Sequence, residues 1–379
     1  MRKKKITGVV GARPNFMKMA PLIEALRPFS ERIQFQLVHT GQHYDERLSG
    51  LMFKQLELPE PDHYLNVGSG SHAQQTARVM IAFEEYCLEE KPDLVLLVGD
   101  VNSTLACSLT ASKMHIPVAH VEAGLRSFDR KMPEEINRIV TDSLADLLFT
   151  TCREADQNLL KEGIPEEKIH FVGNVMIDSL KKFLPKARSP KALTHLNGAP
   201  EFGVLTLHRP GNVDDDQILK ALIELFIEIS ENMPLIFPCH PRTADRMRAM
   251  GFQFDEPLDE NAVRLNGSNL WMTAPLGYLE FIYLLDKARI VFTDSGGIQE
   301  EVTVLGTACL TLRDNTERGI TIDEGTNLLV GRDPAVIRES FHRVLSNGPC
   351  HPRIPEKWDG GTSVEIARIL MDWLDGCEK

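Results

Sequence analysis

The chain has 379 residues, of which 42% are hydrophobic, and it carries a formal net charge of −12. This length suits two domains of roughly 180 residues each better than one core. The acidic balance argues against sequence-independent nucleic-acid binding, which needs a basic face. No apolar stretch reaches the roughly 18 residues that span a membrane, and the basic residues 1–5 lead straight into a predicted strand, so we expect a cytoplasmic protein.

The seven cysteines are far apart in the chain, with no Cys-x-x-Cys pair and no histidine at metal-ligand spacing beside them. We therefore predict free, buried thiols and no metal site.

The first strand is predicted over residues 5–11 and leads through a glycine turn into a helix that carries Arg13 and Lys18. Unpaired N–H groups at such a helix start favour phosphate, although both cations also suit a solvated surface. A second strand, Phe35 to Val38, is followed by His43, which we interpret as a cap of the next helix. A long amphipathic helix is predicted from Ala73 to Glu90.

The stretch from Leu94 to Arg138 carries most of the candidate chemistry. Two apolar runs separated by a helix-length segment predict parallel strands, and Asp100 and Glu122 fall at their carboxyl ends, where ligand sites form. Glu134 begins the next helix and is expected to face the same crevice. Three acids, without a nucleophile, favour proton transfer to and from carbon or water.

A segment rich in Pro, Lys, Ser, Asn and Gly between Pro185 and Pro200 predicts an interdomain linker. The alternation of strand, polar loop and helix then restarts. Predicted strands are Leu147 to Thr150 before the linker and, after it, Gly203 to Leu207, Leu235 to Pro238, Arg289 to Phe292 and Ala308 to Leu312; predicted helices are Arg153 to Lys161, Asp216 to Glu231 and Ser363 to Asp375.

This pattern predicts an α/β protein with two Rossmann-like domains that face each other across a cleft. We assign residues 1–185 to the first domain and residues 200–360 to the second, and we expect the last helix, within 363–379, to pack back on the first.

The clearest phosphate signal is Ser295-Gly296-Gly297. These small residues stand at a predicted helix start, where the backbone can approach an anion that the helix dipole favours. Glu301 suits a ribose diol, and Arg318 offers a further cation. Each of these residues also suits a capping or surface role, but glycine turns and cations recur in both halves. A nucleotide diphosphate is therefore expected in the second domain.

Several motifs together resemble the bacterial UDP-N-acetylglucosamine 2-epimerase family over nearly the whole chain. They are Gly11-Ala12-Arg13-Pro14 with Lys18, Gly99-Asp100, His120-Val121-Glu122-Ala123-Gly124-Leu125-Arg126, Pro133-Glu134-Glu135-Ile136-Asn137-Arg138, Gly173-Asn174, His208-Arg209, Asp294-Ser295-Gly296-Gly297-Ile298-Gln299-Glu300-Glu301 and Arg313-Asp314-Asn315-Thr316-Glu317-Arg318. The resemblance implies a glycosyltransferase-B-like fold, a homodimer and interconversion of UDP-N-acetylglucosamine with UDP-N-acetylmannosamine for surface polysaccharide synthesis.

The implied reaction is elimination of UDP to a 2-acetamidoglucal followed by re-addition, and it needs neither a metal nor a redox cofactor. The resemblance makes Asp100, Glu122 and Glu134 the proton-handling acids and His208 the histidine on the phosphate side. It assigns UDP or substrate binding to Arg13, Lys18, Arg209, Phe281, Ser295, Gly296, Gly297, Glu301 and Arg318, with Phe281 beside the uracil.

Many members are activated by a second UDP-N-acetylglucosamine molecule. Gln42, His43 and His240 are the candidate residues for that effector site, to which Arg209 also matches. The chain has Asp45 and Ser71 where other members place a glutamine and an arginine.

Other functions stay open at this point. Related branches epimerise UDP-2,3-diacetamido-glucuronic acid or hydrolyse the intermediate, and Gln42-His43 favours the non-hydrolysing form. A glycosyltransferase of the same fold, a non-catalytic nucleotide-sugar sensor and an NAD-dependent epimerase are the alternatives from other classes. The last rests on Tyr283 and Lys287, which we interpret as part of an amphipathic helix.

Overall fold

The computed structural model describes residues 2–41, 46–196, 201–255, 262–347 and 353–376; within these ranges it leaves out the side chains of Arg13, residues 46–49, Leu51 and His195. The chain divides into two compact units. The N-terminal unit comprises Met1–Lys182 and Glu356–Lys379, and the C-terminal unit comprises Phe183–Pro355.

In the described part of the N-terminal unit, seven strands form one parallel sheet with the order β3-β2-β1-β4-β5-β6-β7. Its strands are β1 Lys4–Val10, β2 Ile33–His39, β3 His63–Tyr64, β4 Leu94–Val98, β5 Val118–Ala123, β6 Leu147–Thr150 and β7 Ile169–Phe171. Its helices are α1 Arg13–Leu26, α2 Glu46–Gln55, α3 His72–Glu90, α4 Asn102–Lys113, α5 Pro133–Leu144, α6 Arg153–Lys161, α7 Val175–Phe183 and, at the C-terminus, α15 Thr362–Gly376.

The described part of the C-terminal unit repeats this architecture with the strand order β10-β11-β9-β8-β12-β13-β14, in which only the edge pair β10 and β11 is antiparallel. Its strands are β8 Gly203–Thr206, β9 Leu235–Pro238, β10 Ala262–Arg264, β11 Leu270–Thr273, β12 Ile290–Thr293, β13 Ala308–Thr311 and β14 Asn327–Leu329. Its helices are α8 Pro210–Val213, α9 Asp216–Asn232, α10 Pro241–Ala249, α11 Tyr278–Lys287, α12 Gly296–Leu305, α13 Gly319–Asp323 and α14 Pro334–Asn347.

Each sheet has one place where the direction of winding reverses. In the N-terminal unit it lies between β1 and β4, and in the C-terminal unit between β8 and β12. In open α/β sheets, ligands bind just beyond the carboxyl ends of the strands at such a switch point.

The central strands are continuous apolar runs because both faces of a parallel sheet are covered by helices. In β4, all five residues of Leu-Val-Leu-Leu-Val are buried. The predicted fold class, with two parallel-sheet domains, is confirmed. None of the helices in the described ranges combines the length and apolar composition that crossing a bilayer requires.

The segment predicted as a linker is more structured than its composition indicates. Residues Leu184–Lys186 and Lys191–Leu196 form short 3-10 helices, and Ala192 and Leu196 are buried in a hydrophobic cluster of the C-terminal unit. These two apolar side chains, four residues apart, anchor an otherwise polar stretch.

The chain returns to the N-terminal unit through residues 356–361. The Trp358 side chain is 1% exposed, and its indole N–H donates to the Thr151 carbonyl at 2.9 Å. Gly173, with φ +94°, lies directly under this segment, since a Cβ there would be 2.1 Å from the Lys357 carbonyl oxygen. Helix α15 then packs against α1, with Asp178 accepting hydrogen bonds from the first backbone N–H groups of the helix.

The prediction of buried free thiols is confirmed for the five cysteines that the structure describes, Cys87, Cys107, Cys152, Cys239 and Cys309. Burial raises the pKa of Cys87, Cys239 and Cys309 to about 12. Such thiols stay protonated and unreactive at neutral pH. Cys350 and Cys377 lie outside the described residues.

Candidate active site

Asp100 follows β4 at the switch point of the N-terminal sheet. Its side chain is 26% exposed and pairs with the Arg138 guanidinium, while its backbone carbonyl accepts a hydrogen bond from Asn137 Nδ2 at 2.8 Å. Arg138 also binds Glu135 at 2.6 Å. Residues near the start of α5 thus hold Asp100 by both its side chain and its backbone.

Glu122 was predicted at the carboxyl end of a strand and lies inside β5, one residue before its end. The strand reaches Ala123 because its pairing with β6 shifts register between Val121 and Ala123, and Glu122 takes a left-handed conformation with φ +73°. Such a conformation in a non-glycine residue costs about 1 to 3 kcal/mol and is concentrated at functional sites. The bulge re-aims the Glu122 side chain beside the end of β4.

Lys18, predicted as a UDP ligand, has its ammonium against the Glu122 carboxylate, and both side chains are almost completely buried. Gly99 lies over this pair: a Cβ there would be 2.9 Å from Lys18 Nζ and 3.5 Å from Glu122 Oε2. A buried carboxylate needs such a partner to remain ionised. The structure thus brings Lys18 to the acids of its own unit, and its contact with phosphate stays a prediction.

Glu134 stands in the first turn of α5, four residues before Arg138. Residues at this spacing share one face of a helix, so Glu134 projects from the face that supplies Arg138 to Asp100. The side chain is half-buried. Its role as a third acid stays a prediction.

Three predicted site residues of this unit fall on positions or side chains outside the described part of the structure. Gln42 and His43 lie outside the described residues, and the side chain of Arg13 is not described. Ser71, at a position where other family members were expected to place an arginine, is the N-cap of α3 and accepts a hydrogen bond from Gln74 N at 3.3 Å.

In the C-terminal unit, Ser295 is the N-cap of α12, and the helix begins at Gly296. A Cβ on Gly296 would lie 2.8 Å from Glu317 Oε1 and 3.6 Å from the Arg318 guanidinium. Gly296 is buried, and a side chain at this position would collide with Glu317. The backbone N–H groups in the first turn of a helix have no partner within the helix itself. Such a start can bind an anion.

His208 follows β8, the strand beside β12. Its Nδ1 lies 2.7 Å from Oδ1 of Asp294, a buried carboxylate that also accepts from the N–H groups of His208 and Arg209. Burial opposes ionisation of Asp294, but the nearby His208 and these N–H groups lower its pKa overall. Nδ1 therefore donates to a carboxylate, and Nε2 is the nitrogen that can face a ligand.

Arg318, predicted as a further cation for the diphosphate, is buried and pairs with Glu300 at 2.7 Å. Glu301 accepts a hydrogen bond from the Tyr278 hydroxyl at 2.9 Å. Burial raises the pKa of Glu301 to about 7; the Tyr278 hydrogen bond opposes this shift and the charge of Glu300 adds to it. Because Glu300 compensates the charge of Arg318, this part of the site carries less positive charge than the sequence indicated.

The other predicted binding residues of the C-terminal unit stand in or just before helices. Phe281 lies one turn after Tyr278 in α11 and is partly buried against the hydrophobic cluster. Arg209 is the N-cap of α8. His240 is exposed and caps α10 by accepting from Arg242 N at 3.2 Å, which is a structural role beside its candidate effector role.

Asp294, Glu300 and Arg138 stand within the family motifs, but the sequence alone predicts no role for them. Each is buried and holds a predicted site residue in place. The sequence does give one indication of such a role. A charged residue next to apolar residues in a predicted strand or helix is expected to be buried, and a buried charge needs a partner.

Comparison with known proteins identifies this arrangement. The model of the family described as UDP-N-acetylglucosamine 2-epimerase matches residues 27–371. The UDP-N-acetylglucosamine 2-epimerase of Methanococcus maripaludis is 42% identical over 90% of this chain and 92% of its own length. The UDP-2,3-diacetamido-2,3-dideoxy-D-glucuronate 2-epimerase of Pseudomonas aeruginosa is also 42% identical, with the same coverage. The crystal structure of Methanocaldococcus jannaschii UDP-GlcNAc 2-epimerase in complex with UDP-GlcNAc and UDP superimposes with a TM-score of 0.85 at 40% identity, covering 97% of this chain and 99% of that chain.

Proposed function

Because the chain belongs to the UDP-N-acetylglucosamine 2-epimerase family, we propose that it interconverts UDP-N-acetylglucosamine and UDP-N-acetylmannosamine without hydrolysing them. Members of this family are isomerases, and the chain shares their glycosyltransferase-B-like fold. The observation that carries the proposal is that two carboxylates lie at the carboxyl-end edge of one sheet, Asp100 directly after β4 and Glu122 near the end of the neighbouring strand β5, each beside a buried cation.

The proton on C2 of the sugar is not acidified by a neighbouring carbonyl. A carboxylate removes it only as the C1–O bond breaks: the C–H electron pair forms the C1=C2 double bond, and the C1–O pair leaves with UDP. The product is 2-acetamidoglucal. Return of the proton to the opposite face of C2, with UDP oxygen bonding again to C1, inverts C2 and balances the reaction.

This chemistry needs one group to take a proton and another to return it from the other face. We assign these tasks to Asp100, Glu122 and Glu134. Lys18 and Arg138 stabilise the ionised carboxylates of Glu122 and Asp100.

The departing diphosphate must be stabilised as its charge develops. We assign this task to the start of α12, at Ser295, Gly296 and Gly297, and to His208, whose Nδ1 is held by Asp294. Arg13, Lys18, Arg209 and Arg318 stay proposed phosphate-side cations. Glu301 and Phe281 are the proposed partners of the ribose and the uracil.

The test is proton NMR of the chain with UDP-N-acetylglucosamine in deuterated water. The expected result is growth of the UDP-N-acetylmannosamine signals with deuterium at C2 and without free N-acetylmannosamine. Asp100→Asn, Glu122→Gln and Glu134→Gln should each lower kcat at least about a hundredfold, the loss typical of general acid–base groups. Release of the free sugar would identify a hydrolysing enzyme, and absence of exchange would favour a transferase.

A second substrate is supported by the equal identity to the diacetamido-glucuronate epimerase. The two sugars differ at C3 and C6, away from the reacting C1 and C2. Measuring kcat/KM for both decides between them, since the specific substrate is expected to be favoured by at least about tenfold.

We further propose a homodimer. Ile81 and Leu88 are 61% and 62% exposed and lie two turns apart on one face of α3, an arrangement that favours burial against a second copy. Light scattering should give the mass of two chains, and the variant Ile81→Glu/Leu88→Glu should give one. A monomeric wild-type chain would contradict the proposal.

A further inference from the structure

Beneath the acid-bearing edge of the N-terminal sheet lies a cluster of charged side chains, His120, Asp142 and Arg126. His120 belongs to β5 and Asp142 to α5, and both are 0% exposed, while the side chain of Arg126 is 1% exposed. None of the three was assigned a role in the reaction. Burying three ionisable groups in the core costs free energy unless they are paired and hydrogen-bonded, so their contacts indicate what they do.

The contacts of Asp142 and His120 show how the cluster is held together. Burial opposes ionisation of Asp142, but His120 and Arg126 lower its pKa overall, so it is a carboxylate. His120 Nδ1 lies 2.6 Å from Asp142 Oδ1, and Nε2 lies 2.9 Å from the Gly99 carbonyl oxygen. Both ring nitrogens therefore face oxygen acceptors, and these two contacts fix the orientation of the imidazole.

The cluster reaches the backbone on either side of the two acids. Through His120 it binds the carbonyl of Gly99, the residue before Asp100. Through Asp142 Oδ2 it accepts from Gly124 N at 3.0 Å, two residues after Glu122. Gly99 and Gly124 both take positive φ angles, +67° and +78°, so these hydrogen bonds fix turns that have no side chain to hold them.

The outer end of the cluster is Glu162, whose side chain is 36% exposed. Its two carboxylate oxygens accept from Arg126 Nε at 2.8 Å and Nη2 at 2.7 Å. This bidentate pair fixes the Arg126 guanidinium, whose Nη1 then lies 2.7 Å from Asp142 Oδ2.

Buried ion pairs contribute little net stability compared with well-packed apolar side chains. Their advantage is geometric, since directional hydrogen bonds in a water-free core admit few arrangements. We propose that His120, Asp142 and Arg126 are positioning residues that fix the turns of Asp100 and Glu122 relative to one another. The inference rests on the proposed function, because it takes these acids as the proton-handling groups.

The two proton transfers of an epimerisation depend on this relative placement. If one acid shifts against the other, a proton can still be removed, but its return to the other face becomes slow. The glucal and UDP then dissociate before re-addition. Loss of the cluster should therefore lower kcat and raise the number of glucal molecules released per epimerisation, while KM changes little because other residues hold UDP.

The experiment compares the full-length wild-type chain with His120→Gln and Asp142→Asn. For each, NMR in deuterated water gives kcat, KM and the release ratio, and near-UV circular dichroism gives the folded fraction. A displacement of about 1 Å can cost a hundredfold in rate, so a kcat loss of about that size is expected with at least about a tenfold higher release ratio. His170→Gln, on β7 of the same sheet, is the matched control and should stay within about twofold of wild type.

If the buried variants do not fold, the partly exposed variant Glu162→Gln still tests the inference. It changes only the outer end of the cluster, and a kcat loss of about threefold with a raised release ratio is expected. Rates that fall only with the folded fraction, at an unchanged release ratio in all folded variants, would overturn the inference while leaving the proposed function intact. A wild-type chain that does not exchange C2 hydrogen would overturn both.

Discussion

Asp294 holds the orientation of the His208 ring and favours the tautomer that carries its hydrogen on Nδ1. The variant Asp294→Asn replaces the carboxylate by an amide that accepts more weakly and can turn its donor toward Nδ1, which favours the wrong tautomer. We expect kcat to fall about a hundredfold or more. Steady-state kinetics checks this, and the double variant with His208→Asn should be little worse than either single one because the pair acts as a unit. Asp286→Asn, on the surface of α11 beside Lys287, is the control and should match wild type.

Glu301 makes the stability of the chain depend on pH. Its pKa rises from 4.5 to about 7 on folding, chiefly through burial, so the folded state binds a proton that the unfolded state has lost. Its stabilising contribution is therefore complete below about pH 4.5 and is lost as the pH rises through 7. Relative to wild type, Glu301→Gln should gain up to about 3 kcal/mol in the free energy of unfolding between pH 5 and pH 8.

Denaturant titrations at several pH values measure this difference. Glu224→Gln on the exposed face of α9 should show no such gain. A pH-independent difference between Glu301→Gln and wild type would mean that Glu301 is ionised throughout this range.

At the scale of the element, α12 has a glycine at each end with a different physical function. At the start, Gly296 leaves room for Glu317, and Gly296→Ala should weaken UDP binding about tenfold by pushing a methyl group and Glu317 toward the anion site. At the end, Gly306 takes φ +76° with open space around it. Gly306→Ala should cost about 1 kcal/mol in stability and leave UDP affinity unchanged.

Calorimetric titration with UDP and thermal unfolding of both variants separate these two effects. Equal UDP affinities for the two variants would contradict the assignment of the α12 start as the phosphate site.

At the scale of the whole molecule, the returning C-terminal segment completes the N-terminal unit. Trp358→Ala removes a buried indole and its hydrogen bond to Thr151, and we expect a loss of about 3 to 5 kcal/mol in the free energy of unfolding. Trp358→Phe keeps most of the apolar volume and should lose only about 1 kcal/mol for the hydrogen bond. Similar losses in both variants would mean that the hydrogen bond, rather than the packing of the indole, holds this segment.

The local sequence determined the elements and the family. The helix near Arg153 to Lys161 and the strands near Leu147 to Thr150 and at Leu235 to Pro238 were predicted with bounds that agree with the structure, because apolar periodicity and caps are local properties. The family was recognisable because its motifs stand at the ends of strands. The bulge that turns Glu122 was not predictable, since it arises from the pairing of β5 with β6.

Tertiary structure decided which charged groups meet. Lys18 and Glu122 are 104 residues apart in the chain, and His208 and Asp294 are brought together by the adjacency of β8 and β12. Strand order is set by the packing of helices over the whole sheet, which no local pattern records. The sequence by itself therefore supplied the chemical groups, while the order of the strands determined their partners and, through burial, which of them are charged.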